Sequence, residues 1–183
     1  MDLRRDFVPF EAHAAIQEAI MSNPILHPFP PVIASDSRML ILGSFPSVRS
    51  REEGFFYGHP RNRFWPLLAL IYGDEVPATI PDKRDLLLRH QLALWDVIAS
   101  CEITGSSDAS VRGETPVDIT RVMEAAPITR VICNGALAGK LYRKHLEGTT
   151  GIPARILPST SPANAAWSLE RLAERWHDAL KQE

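Results

Sequence analysis

Four short apolar segments, Met39–Leu42, Leu92–Ile98, Arg130–Cys133 and Ala154–Leu157, are spaced widely along the chain. Helical patterns lie between and after them, over Arg63–Tyr72, Asp82–His90, Asp118–Ala125, Gly135–Leu146 and Asn164–Leu180. Pro66 is tolerable only in the first turn of its helix, and Pro116 and Asp118 sit near the start of another. The last helix repeats Ala165, Leu169, Leu172, Trp176 and Leu180 on one face, with Asn164 its expected N-cap. Strands separated by helices predict a parallel sheet covered on both sides. The expected fold is therefore α/β, a three-layer α/β/α sandwich with a central, mainly parallel four-stranded sheet. Ligands in such sheets bind outside the carboxyl ends of the strands. The loops GSFPS, SCEITGSSDAS, NGALAG and PSTSPANAAW follow those ends, so all should converge on one edge.

The 183 residues fit one domain and at most an arm. Residues 1–26 read as an N-terminal helical arm, with a helix over Phe10–Met21, and residues 27–183 as a single domain. His27–Val32 (HPFPPV) breaks the helix and leads in extended form to the first strand. A net charge of −2 carries no global basic signature. Any nucleic-acid site must be local, and residues 49–63 are the best stretch: Arg49, Arg51, Arg61, Arg63 and His59 against Glu52 and Glu53. Cys101 and Cys133 are the only cysteines. They are too few for a four-thiolate cluster and read as buried, reduced thiols. No metal-ligand spacing is evident, and no cofactor is expected. The N-terminus lacks a signal-peptide core, and the longest apolar run, Trp65–Tyr72, is too short for a membrane span. A cytoplasmic monomer away from membranes is expected.

Taken alone, GSFPS has no phosphate-loop Lys and no GxGxxG pattern. It is either a tight turn or a mount that fixes Phe45 at a pocket mouth, where it can stack on a flat ligand. LPSTSPANAAW is either a loop leading into a helix or a rigid hairpin whose hydroxyls and N–H groups hold phosphates.

Taken together and in order, GSFPS, GHPRNRFW, ALWDV, a strand ending in NG, and LPSTSPANA resemble the uracil-DNA glycosylase superfamily, in particular its hypoxanthine-DNA glycosylase (DNA-deoxyinosine glycosylase) branch. The resemblance runs from about His27 to Ala179. It implies a monofunctional DNA glycosylase of base excision repair. Such an enzyme acts on double-stranded DNA holding a deaminated base, flips the nucleotide out, and hydrolyses the N-glycosyl bond by water attack at the anomeric carbon. In many members the first motif carries an Asp or Asn that activates water. Phe45 stands there in this chain and cannot do so. The resembled branch shares that gap and is thought to use the Asn of HPRN, here Asn62, to orient water and stabilise charge near the sugar. Asn62 is equally placed to cap the helix that follows it.

A His of the second motif faces the base in uracil-specific members; Leu157 replaces it, which argues against efficient uracil chemistry. Asp96 takes the place of the base-recognition Asn. A carboxylate only accepts hydrogen bonds, so Asp96 suits the N1–H of hypoxanthine over the N1 acceptor of adenine; otherwise it caps a turn or pairs with an Arg. Phe45 or Tyr57 stacks on the base. Asn134 contacts base or backbone, or merely accommodates the turn before Gly135. His59 supplies a proton to the leaving purine or is a surface residue. Ser44, Ser47, Arg49, Arg61, Ser159, Thr160 and Ser161 are expected at the DNA backbone. Pro162, Ala163 and Asn164 form the loop expected to wedge the duplex. No Lys occurs in the motifs before Lys140, so a Schiff-base step is not expected. Two other readings stay open: a uracil or broad deaminated-base glycosylase, and a non-catalytic lesion-binding module.

Overall fold

The structure, a computed structural model, describes residues 24–181. The helix expected over Phe10–Met21 lies outside the described residues. In chain order the elements are β1 (Ile25–Leu26), β2 (Met39–Gly43), α1 (Val48–Glu53), α2 (Phe64–Tyr72), α3 (Ile80–Arg89), β3 (Leu92–Asp96), β4 (Ile98–Glu102), β5 (Arg112–Pro116), α4 (Thr120–Ala125), β6 (Arg130–Asn134), α5 (Ala136–His145), α6 (Glu147–Thr150), β7 (Ala154–Leu157) and α7 (Leu169–Lys181). The central sheet has four strands in the order β3-β2-β6-β7, and all its pairings are parallel. Helices flank it, as the alternation of strand and helix patterns implies. β2 and β3 are buried at every residue, because helices take water from both faces; that is why they read as unbroken apolar runs. Each fully buried Leu or Ile of these strands contributes about 1.5–3 kcal/mol. Phe64 of α2 meets Trp176 of α7 edge-on, and both are fully buried.

The segment Leu92–Ile98 is not one strand. It leaves the parallel sheet at Asp96, and the backbone of Val97 explains the switch. Its N–H donates to Gly43 O at 2.9 Å, while its carbonyl accepts Val117 N at 2.9 Å. The chain then enters a second, antiparallel sheet, ordered β1-β4-β5, with register shifts on either side of Ser100. Ile25 and Leu26 pair with Cys101 and Ser100. The expected loop SCEITGSSDAS is thus strand in its first residues. Its remainder folds back to the start of α1, where Val48 N donates to Ser106 Oγ at 3.0 Å.

Two helix starts also differ from expectation. α1 follows GSFPS directly, with Ser47 Oγ accepting Ser50 N at 3.2 Å as a side-chain cap. α7 begins at Leu169, not Asn164, so Ala165 lies outside it. Ser168 Oγ accepts Arg171 N at 3.3 Å, whereas Asn164 turns its side chain back to Ser159 O at 2.9 Å. No helix of the described residues is long and apolar enough to cross a membrane.

Candidate active site

The carboxyl ends of β2, β3 and β6 and the loop after β7 meet at a cavity of about 490 Å³. Gly43, Ser44, Phe45, Ser47, Arg49, Tyr57, His59, Asn62, Asp96, Asn134, Ser159, Thr160, Ser161, Pro162 and Ala163 all line it. The convergence expected of the loops is therefore observed. Arg61 stands exposed beside it.

Asp96 closes β3 and is 4% exposed. Its Oδ2 lies 2.9 Å from His27 Nε2. Phe29 N donates to His27 Nδ1 at 3.4 Å, which leaves Nε2 as the protonated nitrogen that donates to Asp96. The partner of Asp96 is thus a histidine, where the chain suggested a turn or an Arg. The other oxygen, Oδ1, lies over the backbone of Gly43, its register partner on β2. A Cβ on Gly43 would meet that oxygen at 2.1 Å. Only glycine leaves room for the carboxylate. Gly43→Ala should displace Asp96 and cost about 1–3 kcal/mol, as overpacking does, read as a lowered urea midpoint.

Tyr57 sits at φ 53, a left-handed conformation uncommon for a large side chain. Its ring packs 4.0 Å from that of Phe64. Its hydroxyl is buried and makes no well-formed hydrogen bond among the described residues, although the Asn134 side chain lies close enough to oppose the shift of its phenol. Burial, with the nearby charge of Asp96, pushes its phenol well above the usual range. An unmet buried hydroxyl costs about 1–3 kcal/mol, so this one is suited to a ligand that supplies a partner. Phe45 is half-buried, with its ring edge-on to His27 and the Arg51 guanidinium 5.7 Å from its centroid.

Asn62 precedes α2 in a turn. Its Oδ1 accepts two hydrogen bonds at 3.0 Å, from Phe64 N and from Thr160 Oγ1. The N-cap of α2 is Arg63, not Asn62; Asn62 stands one residue earlier, where it accepts the N–H of the first helical residue from its place on the cavity wall. Thr160 is fully buried, so it presents no hydroxyl to a phosphate; its hydroxyl links Asn134 to Asn62 instead. Asn134 spends both amide ends on Thr160, accepting from its N–H at 3.0 Å and donating to its Oγ1 at 2.9 Å. Gly135, at φ 101, brings the two loops close enough that a Cβ would meet Ser159 Cβ at 3.1 Å.

The four arginines of residues 49–63 divide in function. Arg51 donates to Pro46 O at 3.2 Å. Arg63 donates to the carbonyls of Thr160, Ser161, Asn164 and Trp167. Both therefore hold protein loops. Arg49 is exposed, paired with Glu52 at 3.1 Å, a surface contact worth little and easily exchanged. Ser159 and Ser161 each accept a backbone N–H, from Ser161 and Ala163. Their own protons have no acceptor among the described residues, the right polarity for phosphate oxygens. Ser44 donates to Asp108 at 3.2 Å, and Ser47 caps α1. Of the expected wedge, Pro162 and Ala163 stand at the rim, while the side chain of Asn164 is tied inward. His59 Nδ1 accepts Arg61 N at 3.1 Å.

The chain gave no warning of two further groups. His27 looked only like part of a helix-breaking segment, and its partner lies 69 residues away. Asp108 lies on the folded-back loop and lines the cavity. Burial raises its carboxyl above the usual range; the bond from Ser44 opposes this and Asp96 adds to it. Among the described residues, no cluster of three His, Cys, Asp or Glu side chains could hold a metal ion.

The profile of the uracil DNA glycosylase superfamily matches residues 30–180. A hypoxanthine DNA glycosylase of Methanosarcina acetivorans is 36% identical over 148 residues, 80% of this chain and 92% of that protein. Another, from Methanosarcina barkeri, is 33% identical over 156 residues, 84% of this chain and 97% of its own length. The solution NMR structure of a uracil DNA glycosylase candidate from Methanosarcina acetivorans superposes with a TM-score of 0.72 at 30% identity, covering 87% of this chain and 96% of that one.

Proposed function

Given that the chain belongs to the uracil DNA glycosylase superfamily and is a DNA glycosylase, we propose that it removes hypoxanthine from deoxyinosine-containing double-stranded DNA. The observation that carries this reading is Asp96: a buried, acceptor-only carboxylate, held by His27 at the wall of the cavity. Hypoxanthine offers an N1–H donor to such a group, whereas adenine offers a lone pair, and a buried mispaired acceptor is heavily penalised. Two relatives that span most of the chain bear the same activity in their names.

Uracil also carries a ring N–H, so Asp96 alone does not separate it. Phe45 in the first motif and Leu157 in the second do, since neither can supply the polar group the resemblance assigns to uracil enzymes. The nucleotide flips out at a cost of a few kcal/mol, less for a weak deoxyinosine pair. Phe45 and Tyr57 flank the flipped base, Asp96 reads its edge, and Asn62 acts where the bond to the sugar breaks. Ser159 and Ser161, with Arg49 and Arg61, contact the flanking phosphates, so binding weakens with salt.

A panel of labelled duplexes holding inosine, uracil, xanthine or a thymine mispair tests the substrate. Hypoxanthine should be released, and uracil roughly 10²-fold more slowly, the loss expected for one missing stabilising donor. Release of uracil at an equal rate would favour the broad deaminated-base reading. Release of no base at all would sink the proposal.

A further inference from the structure

The amide of Asn62 has a fixed polarity, and two backbone N–H groups set it. A backbone N–H can only donate, so the atom of Asn62 that faces Phe64 N at 3.0 Å must be the carbonyl oxygen. At the far end of the chain of bonds, Thr160 N donates to Asn134 at 3.0 Å, so that atom must be the oxygen of Asn134. The amine of Asn134 then donates to Thr160 Oγ1 at 2.9 Å. Thr160, with that lone pair taken, passes its own proton to Asn62 Oδ1 at 3.0 Å. Thr160 is fully buried and Asn134 is 8% exposed, so water competes little for these bonds. Asn62 Oδ1 thus carries two hydrogen bonds, and Nδ2 is the end with no protein partner among the described residues. Asn62 lines the cavity, and the group it has left to offer there is a donor.

We propose that Thr160 and Asn134 are positioning residues that lock Asn62 as a hydrogen-bond donor to the departing purine, instead of an acceptor that orients the attacking water. This rests on the reading that the protein releases hypoxanthine from DNA through Asn62. As the bond between C1′ and the purine nitrogen breaks, its electron pair passes to the purine ring. A fixed donor beside the ring stabilises that charge. Water then adds its oxygen to C1′ and gives a proton to solvent, and the purine takes one from solvent, so the step balances as a hydrolysis.

Single-turnover release of hypoxanthine from a deoxyinosine duplex tests the assignment. Asn62→Asp keeps acceptors for Phe64 N–H and Thr160 O–H but loses the amine. Its rate should fall about 10²-fold or more, close to Asn62→Ala. Asn62→Asp retaining a tenth or more of the wild-type rate, as a water-orienting acceptor would, overturns the donor role. Thr160→Val should fall roughly ten-fold as the amide loses one of its two anchors, and Thr160→Ser should recover most of that loss. Melting curves separate this from unfolding. Equal rates for the folded Val and Ser variants overturn the positioning role. Wild type that releases no hypoxanthine overturns the parent reading, and this one with it; wild-type release beside an active Asn62→Asp overturns the donor role alone.

Discussion

Arg63→Ala should cost the protein both stability and turnover. The guanidinium gathers four backbone carbonyls, those of Thr160, Ser161, Asn164 and Trp167, and the Arg63 N–H also donates to Thr160 O at 3.1 Å. These carbonyls belong to the irregular loop between β7 and α7, which has no strand or helix to satisfy them. A planar fork of five donors reaches carbonyls spread along the loop, whereas the three donors of a lysine radiate from one compact point. Hydrogen bonds to a charged group are worth about 1.5–3 kcal/mol each, but bonds to one side chain are not additive. The expected loss is roughly 3 kcal/mol, read from urea unfolding. The same loop carries Thr160 against Asn62, and Ser159, Ser161 and Ala163 at the cavity. A shift of about 1 Å in such groups can cost 10²-fold. Hypoxanthine release should therefore fall about 10²-fold or more even where the variant is folded, and Arg63→Lys should recover little. A variant that melts like wild type and keeps its rate within ten-fold would show that the loop holds itself.

The central sheet was legible because a strand buried on both faces is apolar along its buried length, and Met39–Leu42 and Val131–Cys133 read that way. The shared edge of the loops followed from parallel topology alone. The turn at Val97 was hidden, because the apolar pattern resumes at Val97 and Ile98 directly after Asp96. Which strand receives a backbone hydrogen bond is a tertiary matter that the local pattern does not carry. Arg63 illustrates the same gap: a guanidinium suits phosphates and carbonyls equally, so residue type could not tell a DNA contact from a loop clamp. Asn164 was a plausible cap by type, yet its amide has a better use on Ser159 O. Motif order brought forward Asn62, Asp96 and Thr160, but assigned Thr160 to the DNA backbone and passed over His27. Thr160 and His27 act across 98 and 69 residues of chain.

Asp96→Asn should abolish hypoxanthine release, by about 10³-fold, although the two side chains have nearly the same shape. The reason lies in His27. Phe29 N–H faces Nδ1 of its ring, so the proton sits on Nε2 and points at residue 96. An Asn there must offer its oxygen to that proton, which turns its amine toward the position of Asp96 Oδ1. The acceptor that suits the N1–H of hypoxanthine becomes a donor, and two donors then meet at a residue that is itself buried. Sites built on a buried hydrogen bond reject a mismatch by about 10⁴-fold or more; some relaxation of the base makes 10³ the figure to expect. His27→Phe alone keeps the aromatic packing around Phe29 and Phe56 but frees the carboxylate to rotate, and should lower selectivity for inosine over xanthine and uracil more than it lowers the melting temperature. Combined with Asp96→Asn it removes the proton that dictates the amide's direction, so the double variant should release hypoxanthine faster than Asp96→Asn alone. Single-turnover rates for the four proteins on one deoxyinosine duplex measure this. A double variant slower than Asp96→Asn would mean that His27 serves the site in some way other than by aiming residue 96. An Asp96→Asn enzyme within ten-fold of wild type would remove Asp96 from the recognition of the base.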